Sequence, residues 1–189
     1  MDLILASQSP RRRELFDLIG LQYTAMVSDA NEDIPLTEPG AYVEKLALIK
    51  AEAIFEKTPD ACVVGADTIV WLDETIIGKP KDEADASRIL RTLSGRTHLV
   101  YTGLAVLAPG SREVFHDITK VTFASLSDEE IWAYIKTGDP MDKAGAYGVQ
   151  GRAAIFVQKV DGCYFTVIGL PVPRLYKALI KFGIKPQGM

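Results

Sequence analysis

Three consecutive arginines follow a serine–proline pair near the start of the chain, in the run SQSPRRR at residues 7–13. Ser9 followed by Pro10 is a typical helix start, because serine caps the first turn and proline suits the first helical position. The arginines then occupy the positive end of the helix dipole, where further cations are unfavourable unless an anion binds. Backbone N–H groups, two serine hydroxyls and guanidinium groups would together bind a phosphate. A basic turn that is merely solvated is the alternative.

An aspartate interrupts an apolar run at residues 63–70, VVGADTIV, where Asp67 is the only charged residue. Aspartate is depleted in strand interiors, and a buried charge is costly without partners. We therefore predict that Asp67 lies at a strand end or bulge and faces a site. There it would ligate a divalent metal, orient a water molecule or accept the proton of that water. An aspartate that bonds the backbone of a turn is the alternative.

Two lysines occupy unusual positions. Lys50 shares the apolar face of a predicted helix with Ala47 and Ile54, which suits either a lysine whose stem packs on the core or a lysine that reaches a phosphate. Lys79 lies in the GKP run at residues 78–80, so its backbone is constrained by the proline that follows. Lys50 is therefore a candidate for contact with an anion.

The run DKAGAYGVQG at residues 142–151, which we call the glycine loop, combines small residues with one amide. Glycines let a ligand approach the backbone closely, and Gln150 offers a donor and an acceptor that suit reading a base or ordering water. A flexible connector is the alternative. Glu32, in an acidic loop next to Asp33, is expected to be solvated unless it faces Asp67 across a metal.

These features together favour one kind of chemistry. One basic anion site and one or two carboxylates suit attack of metal-activated water on a phosphoric anhydride. They do not suit acyl transfer, which needs a nucleophile paired with a base. The two histidines, His98 and His116, fall in strand-like runs and are interpreted as structural, and the two cysteines, Cys62 and Cys163, as small buried hydrophobic residues without a disulfide.

Composition narrows the class of protein further. The 189 residues include 21 Lys and Arg against 25 Asp and Glu, a net charge of −4, which argues against broad binding of nucleic acids or anionic membranes. The first apolar run spans only residues 3–6, too short for a signal peptide, and no run approaches a membrane span. We expect a cytoplasmic protein that binds neither nucleic acid nor membrane.

The elements that must position these residues alternate between strands and helices and then give way to predicted hairpins, which indicates α/β with a mixed sheet. The predicted helices are 10–19, 39–57, 82–93, 127–138 and 173–183. The helix from Asp82 is expected to be capped, and Ser127 and Glu130 are expected to form a capping box at the start of the next one. The predicted strands are 3–6, 61–72 with an interruption at 65–68, 75–77, 97–108, 113–126, 153–160 and 163–168. The last two strands are expected to form a hairpin around Asp161 and Gly162, and residues 138–151 to form a loop.

Four of these motifs, in this order, resemble the Maf family of nucleoside triphosphate pyrophosphatases over essentially the whole chain. They are LASQSPRR at 5–12, VGADT at 64–68, GKP at 78–80 and the glycine loop. The resemblance implies a single domain over 1–189, with an elongated mixed sheet flanked by helices and two lobes around a cleft, related to the house-cleaning inosine triphosphatases. It also implies a homodimer and hydrolysis between the α and β phosphates with magnesium or manganese.

The resemblance also implies roles for individual residues. The triphosphate would be bound by Ser9, Arg11, Arg12, Lys50 and Lys79.

Asp67 would accept the proton, and Glu32 would help it hold metal or water. Arg11, Thr68 and Gln150 match positions linked to substrate choice. Members with glutamine at the position of Gln150 resemble a dTTP/UTP group, whereas a second group carries glutamate there and prefers other bases, such as 7-methyl-GTP. A neutral amide pairs with the O4/N3–H edge of a pyrimidine, so we expect dTTP and UTP as substrates, with CTP and modified pyrimidine nucleotides left open.

Two other functions remain as alternatives. A sugar-nucleotide nucleotidyltransferase usually has a glycine-rich loop after its first strand, which residues 7–9 do not supply. A non-catalytic, nucleotide-binding regulator of cell division would bind polyphosphate with lysine and arginine, and would have no use for the carboxylate of Asp67.

Overall fold

Strands and helices alternate along the chain in the computed structural model, which describes residues 1–188. The strands are β1 (Leu3–Ala6), β2 (Thr24–Met26), β3 (Cys62–Leu72), β4 (Thr75–Ile77), β5 (Thr97–Ala108), β6 (Ser111–Phe123) and β7 (Val157–Asp161). The α-helices are α1 (Pro10–Leu18), α2 (Pro39–Phe55), α3 (Glu83–Leu93), α4 (Asp128–Ile135), α5 (Tyr164–Ile168) and α6 (Val172–Lys181). Three short 3₁₀ helices span Asp139–Asp142, Ala144–Ala146 and Arg152–Phe156 within the described residues.

Seven strands form one mixed sheet within residues 1–188, in the order β2-β1-β3-β5-β6-β7, with β4 paired to β3. Strand β1 runs parallel to both β2 and β3. Strand β4 is antiparallel to β3, and β7 is antiparallel to β6. The mixed α/β class predicted from the sequence is confirmed.

The chain divides into two compact units. Unit 1 comprises Met1–Asp67, Thr102–Asp117 and the chain from Gly169 onward, and unit 2 comprises Thr68–Tyr101 and Ile118–Ile168. Strands β3, β5 and β6 each contain residues of both units. Whether the whole chain is one domain, as the resemblance implies, stays a prediction.

In unit 1, helix α2 contacts the sheet closely at two glycines, because neither glycine places a side chain between the strand and the helix. A Cβ atom on Gly65 of β3 would collide with the carbonyl oxygen of Ala47, and one on Gly103 of β5 would collide with the carbonyl of Val43. Buried apolar residues fill the rest of this contact, namely Ile4, Ala6, Ala47, Ala51, Ile54, Ala61, Val63, Ala105 and Leu107. The two glycines therefore determine how closely α2, and with it Lys50, approaches β3.

In unit 2, helices α3 and α4 begin at the caps that the sequence predicts. The Asp82 side chain accepts the Asp85 N–H at 2.8 Å. Ser127 and Glu130 form a reciprocal capping box, in which each side chain accepts the backbone N–H of the other residue. The buried faces of these helices join one apolar cluster with strand residues such as Val100, Val121 and Phe123.

Two sequence predictions fail in the second half of the chain. The hairpin around Asp161 and Gly162 is wrong, because β7 pairs antiparallel with β6 and Tyr164–Ile168 forms helix α5. The Thr119 hydroxyl donates to the Cys163 carbonyl at 2.9 Å and holds the chain where it leaves the sheet. Cys163 is accordingly half-buried before a helix and not buried in a strand. Short apolar runs fit a strand or a buried helix equally well, so pattern alone could not decide.

Three further expectations from the sequence have different outcomes. Residues 138–151 are not simply a loop, because they include the first two 3₁₀ helices. Both cysteines are free thiols, as expected. None of the helices within residues 1–188 combines the length and apolar character that crossing a bilayer requires.

Candidate active site

The start of α1 has the geometry expected of an anion-binding helix terminus. Ser9 occupies the N-cap position in an extended conformation, and Pro10 is the first helical residue. The Ser9 side chain makes no capping hydrogen bond within residues 1–188. Instead, the Ser9 N–H donates to the Ser7 hydroxyl oxygen at 3.1 Å. The first helical turn thus carries three arginines at the positive end of the helix dipole.

Arg12 is held in place by two hydrogen bonds to other parts of unit 1. Its Nε donates to the Gly169 carbonyl at 2.8 Å, and one terminal nitrogen donates to the Ser7 hydroxyl at 3.3 Å. Burial lowers the pKa of Arg12, whereas the negative charges of Asp67 and Glu32 raise it. Arginine remains charged in proteins, so Arg12 is a fixed cation within electrostatic reach of both carboxylates. Arg11 lowers the same pKa by its positive charge.

The sequence pattern did not indicate which residues position Arg12. Ser7 is 7% exposed, and its hydroxyl oxygen accepts hydrogen bonds from the Ser9 N–H and from Arg12. Its position two residues before the helix cap was the feature of the sequence that could have indicated this role. Gly169 lies 157 residues from Arg12 along the chain, and no local pattern could have linked the two.

The predicted setting of Asp67 is wrong in one respect. Strand β3 continues from Cys62 to Leu72 on both sides of Asp67, so Asp67 does not lie at a strand end, and a bulge at this position stays a prediction. The pairing of β3 with β1 ends at Gly65, and its pairing with β4 begins at Val70. Asp67 lies between these two registers, and its side chain is 14% exposed.

Lys50 bridges two carboxylates in unit 1. Its Nζ is 2.6 Å from Asp67 Oδ1 and 2.9 Å from Glu32 Oε2. Glu32 therefore joins this cluster and is not merely solvated, although half of its side chain remains exposed. The neighbouring Asp33 uses its N–H to bond the Asn31 side chain at 2.9 Å. The contact with Lys50 thus brings Glu32 to the lysine that also bonds Asp67.

The bridge explains how a nearly buried carboxylate is tolerated in a strand. A buried charge without a partner would be strongly unfavourable, and a lysine at hydrogen-bond distance compensates it. Lys50 is itself only 14% exposed, and it lies on the face of α2 that the close packing at Gly65 brings to the strand. We call Glu32, Lys50 and Asp67 the carboxylate–lysine cluster.

The cluster contains two carboxylates of the kind that ligate divalent cations of the magnesium type. Such ions bind oxygen ligands, and enzymes commonly supply one or two carboxylates while substrate phosphates and water supply the rest. Asp67 and Glu32 are two such carboxylates around one lysine. Within residues 1–188 no group of three or more His, Cys, Asp or Glu side chains could hold a metal.

Three predicted site residues belong to unit 2. Thr68 follows Asp67 within β3, Lys79 is exposed after β4, and Gln150 is exposed in the glycine loop. The Gly145 N–H donates to the Gly78 carbonyl at 3.0 Å, so the glycine loop and the segment that carries Lys79 are joined within this unit. In unit 1, the structure brings together Ser7, Ser9, Arg11 and Arg12 at the start of α1, and Lys50, Glu32 and Asp67 in the cluster.

Both histidines have structural contacts, as the sequence suggested. His98 is buried and its Nε2 lies 2.8 Å from the Tyr147 hydroxyl. His116 is half-buried and its Nδ1 lies 2.7 Å from Glu44 Oε1.

Comparison with known proteins adds independent information. A family model described as Maf-like protein matches residues 2–182. A protein of Bacillus pumilus (strain SAFR-032) named dTTP/UTP pyrophosphatase is 50% identical over 185 residues, covering 97% of this chain and 98% of that protein. A protein of Geobacillus sp. (strain WCH70) with the same name is 48% identical over 182 residues, covering 96% and 98%.

A solved structure shares the fold. The Staphylococcus aureus Ham1 protein matches with a TM-score of 0.53 at 16% identity, over 97% of this chain and 100% of that chain. Identity this low shows the fold alone, and the fold class expected from the sequence is confirmed. Because the family model spans nearly the whole chain and relatives at about half identity cover it almost end to end, the chain belongs to the family of Maf-like proteins.

Proposed function

We propose that this protein is a nucleoside triphosphate pyrophosphatase that hydrolyses dTTP and UTP to the nucleoside monophosphate and pyrophosphate. The observation that carries the proposal is the carboxylate–lysine cluster within electrostatic reach of Arg12. Relatives that are 48–50% identical over nearly the whole chain are named for this activity. CTP and modified pyrimidine nucleotides are further candidate substrates.

The triphosphate is proposed to bind at the start of α1. Free backbone N–H groups and the helix dipole attract anions at such a terminus, and Ser9, Arg11 and Arg12 add a hydroxyl and two guanidinium groups. The hydrogen bonds of Arg12 to Ser7 and Gly169 support this role, because a guanidinium that is already oriented loses little further freedom on binding phosphate.

Asp67 is proposed as the proton acceptor. The oxygen of a water molecule would bond to the α phosphorus, and one proton of that water would pass to Asp67. The bond from the α phosphorus to the oxygen that bridges the α and β phosphates would break, and this oxygen would leave with pyrophosphate. Lys50 holds the Asp67 carboxylate at 2.6 Å and so restricts its orientation. Glu32, on the same lysine, would help order the water.

Asp67 and Glu32 would also hold a divalent cation, magnesium or manganese. When bound, such an ion neutralises phosphate charge and lowers the pKa of coordinated water. Lys50 bonds both carboxylates and so keeps Asp67 and Glu32 close to each other, which would be its contribution to binding of the ion.

Substrate choice is proposed to depend on Arg11, Thr68 and Gln150, with Lys79 contacting phosphate. These roles rest on the motifs in the sequence and on the family. The exposed amide of Gln150 supports its role, because an amide that is not buried in the core is available to a base. The homodimer and the cytoplasmic location expected from the sequence also remain proposals.

The test is a pyrophosphate-release assay with dTTP, UTP, CTP, GTP and ATP, in magnesium, in manganese and in EDTA. We expect turnover of dTTP and UTP that EDTA abolishes. Hydrolysis confined to purine nucleotides would keep the reaction and reject the role of Gln150. Tight nucleotide binding without pyrophosphate release would favour the regulator, and turnover that requires a sugar 1-phosphate would favour the nucleotidyltransferase.

A further inference from the structure

A polar pair lies in the apolar core of unit 2. His98 and Tyr147 are 1% and 6% exposed, and His98 Nε2 lies 2.8 Å from the Tyr147 hydroxyl. Both rings also pack edge-to-face with Phe123, with centroids 5.1 Å and 4.7 Å away. The hydrogen bond thus joins β5, which carries His98, to the glycine loop, which carries Tyr147.

Two apolar side chains of the same shape would pack in this core without the unfavourable free energy of burying polar atoms. The Nδ1 atom of His98 is buried and has no hydrogen-bond partner within residues 1–188, and a buried polar atom in that state is unfavourable. Burial lowers the pKa of His98 to about 4 and raises the pKa of Tyr147, so both groups are neutral near pH 7. Apolar packing alone does not explain why this neutral, hydrogen-bonded pair lies in the core.

The backbone next to Tyr147 is unusual. Gly145 and Ala146 are both left-handed, with φ of 71° and 58°, and a left-handed alanine persists only where its surroundings hold it. A Cβ on Gly145 would lie 2.8 Å from Val70 Cγ2, so the loop approaches β3 closely. After Tyr147 the Gly151 N–H donates to the Gly148 carbonyl at 3.1 Å, and the turn that this bond closes presents Gln150.

The same segment is connected to Lys79. The Gly145 N–H donates to the Gly78 carbonyl at 3.0 Å, one residue before Lys79. Two exposed side chains, Lys79 and Gln150, therefore depend on one backbone frame. Its side-chain contacts include the hydrogen bond of Lys143 Nζ to the Asp139 carbonyl and the buried contact of Tyr147 with His98.

We propose that His98 and Tyr147 are positioning residues for substrate selection, which hold the glycine loop so that Gln150 meets the base of the nucleotide. The proposal rests on the function proposed above, because it assumes that Gln150 reads the base. Neither residue touches substrate in this scheme. Their hydrogen bond acts through the short chain between Tyr147 and the turn at residues 148–151.

The experiment compares Tyr147→Phe, which keeps the ring and removes the hydroxyl, with Thr119→Val as a matched control. The Thr119 hydroxyl is also buried in unit 2 and donates to the Cys163 carbonyl at 2.9 Å. Two quantities are measured for each variant: hydrogen–deuterium exchange of peptides spanning residues 144–151, and the ratio of kcat/KM for dTTP to kcat/KM for GTP.

We expect Tyr147→Phe to speed exchange in residues 144–151 and to lower the selectivity ratio roughly 2- to 12-fold, the range for one net hydrogen bond. Thr119→Val should change neither quantity. In a Gln150→Ala background, Tyr147→Phe should lower the ratio no further, because both changes act through one residue.

Unchanged exchange in the loop, or faster exchange with an unchanged ratio, would overturn the inference and leave the pair as ordinary core packing. Failure of the proposed function is a different result. If the wild-type protein hydrolyses no nucleotide, or if Gln150→Ala alone leaves the ratio unchanged, the role of the site is rejected. The exchange comparison still decides whether the pair holds the loop.

Discussion

The two compact units hold their candidate site residues by different physical means. In unit 1 the charged side chains contact one another, with Lys50 between Asp67 and Glu32 at 2.6 and 2.9 Å. In unit 2 the candidate residues, Lys79 and Gln150, are exposed, and the contacts of the segments that carry them include a backbone hydrogen bond and a neutral buried pair.

The difference follows from the cost of burial. A carboxylate that is 14% exposed must have a partner of opposite charge before any substrate arrives, so unit 1 is organised by ion pairing. An exposed amide or ammonium group has no such requirement, so its position depends on the chain that carries it. Substitutions in unit 1 should therefore affect chemistry and charge, and substitutions in the frame of unit 2 should affect selectivity and stability.

The largest effect is expected from Asp67→Asn, which keeps the shape of the side chain and removes its basicity. We expect kcat for dTTP to fall by ~10²–10⁴-fold, the range for loss of a positioned base. Asp33→Asn is the matched control, because Asp33 is exposed and lies outside the carboxylate–lysine cluster. Steady-state kinetics at saturating metal would measure kcat for both variants. A loss of kcat below tenfold for Asp67→Asn would show that Asp67 is not the proton acceptor.

A second effect concerns the pH dependence of stability in unit 2. Burial lowers the pKa of His98 from 6.5 to about 4. Between these values the unfolded chain binds more protons at His98 than the folded chain does. The contribution of His98 to the free energy of unfolding therefore falls as pH drops from 6.5 toward 4, and this contribution changes no further below pH 4. The shift corresponds to roughly 3 kcal/mol of unfolding free energy.

Urea unfolding of the wild type and of His98→Phe at several pH values between 4 and 7 would measure this contribution. The variant should lack that part of the pH dependence. Parallel pH profiles for the two proteins would show that His98 is not kept neutral by folding.

Arg12→Lys tests whether a fixed guanidinium matters in unit 1. Lysine cannot reproduce the planar set of donors that bonds Gly169 and Ser7, so we expect kcat/KM to fall roughly 10- to 100-fold, as for loss of a charged hydrogen bond. Arg13→Lys is the comparison within the same helical turn, with a smaller expected change. Equal losses in the two variants would mean that only the total positive charge of the turn counts.

The smallest effect is expected on the stability of unit 1. Lys50→Met leaves Asp67 and Glu32 without their shared cation, and we expect unfolding free energy to fall by roughly 1–2 kcal/mol, within the range for a nearly buried group such as Asp67 that loses its partner. The loss should shrink in an Asp67→Asn background. Lys57→Met, which breaks an exposed pair with Asp29, should cost little, and equal losses in Lys50→Met and Lys57→Met would contradict a special role for the cluster.

Local signals in the sequence predicted the helix starts well. Ser9 and Pro10 do begin α1, and Ser127 and Glu130 do form a capping box. Each of these features depends on atoms within four residues along the chain, so neighbouring residue types suffice to specify it. The failures have the opposite character: α5 was expected to be a strand, because a five-residue apolar run satisfies either structure until the rest of the core selects one.

By itself, the sequence determined which residue types would do the chemistry and the order of the segments that carry them. Only the tertiary structure decided that Glu32 and not Asp33 joins Asp67 through Lys50, that Gly169 holds Arg12, and that His98 bonds Tyr147 in the core. The contacting residues are separated by 17 to 157 residues along the chain. Contacts at that separation depend on how strands and helices pack, and a pattern read over a few neighbouring residues does not contain that information.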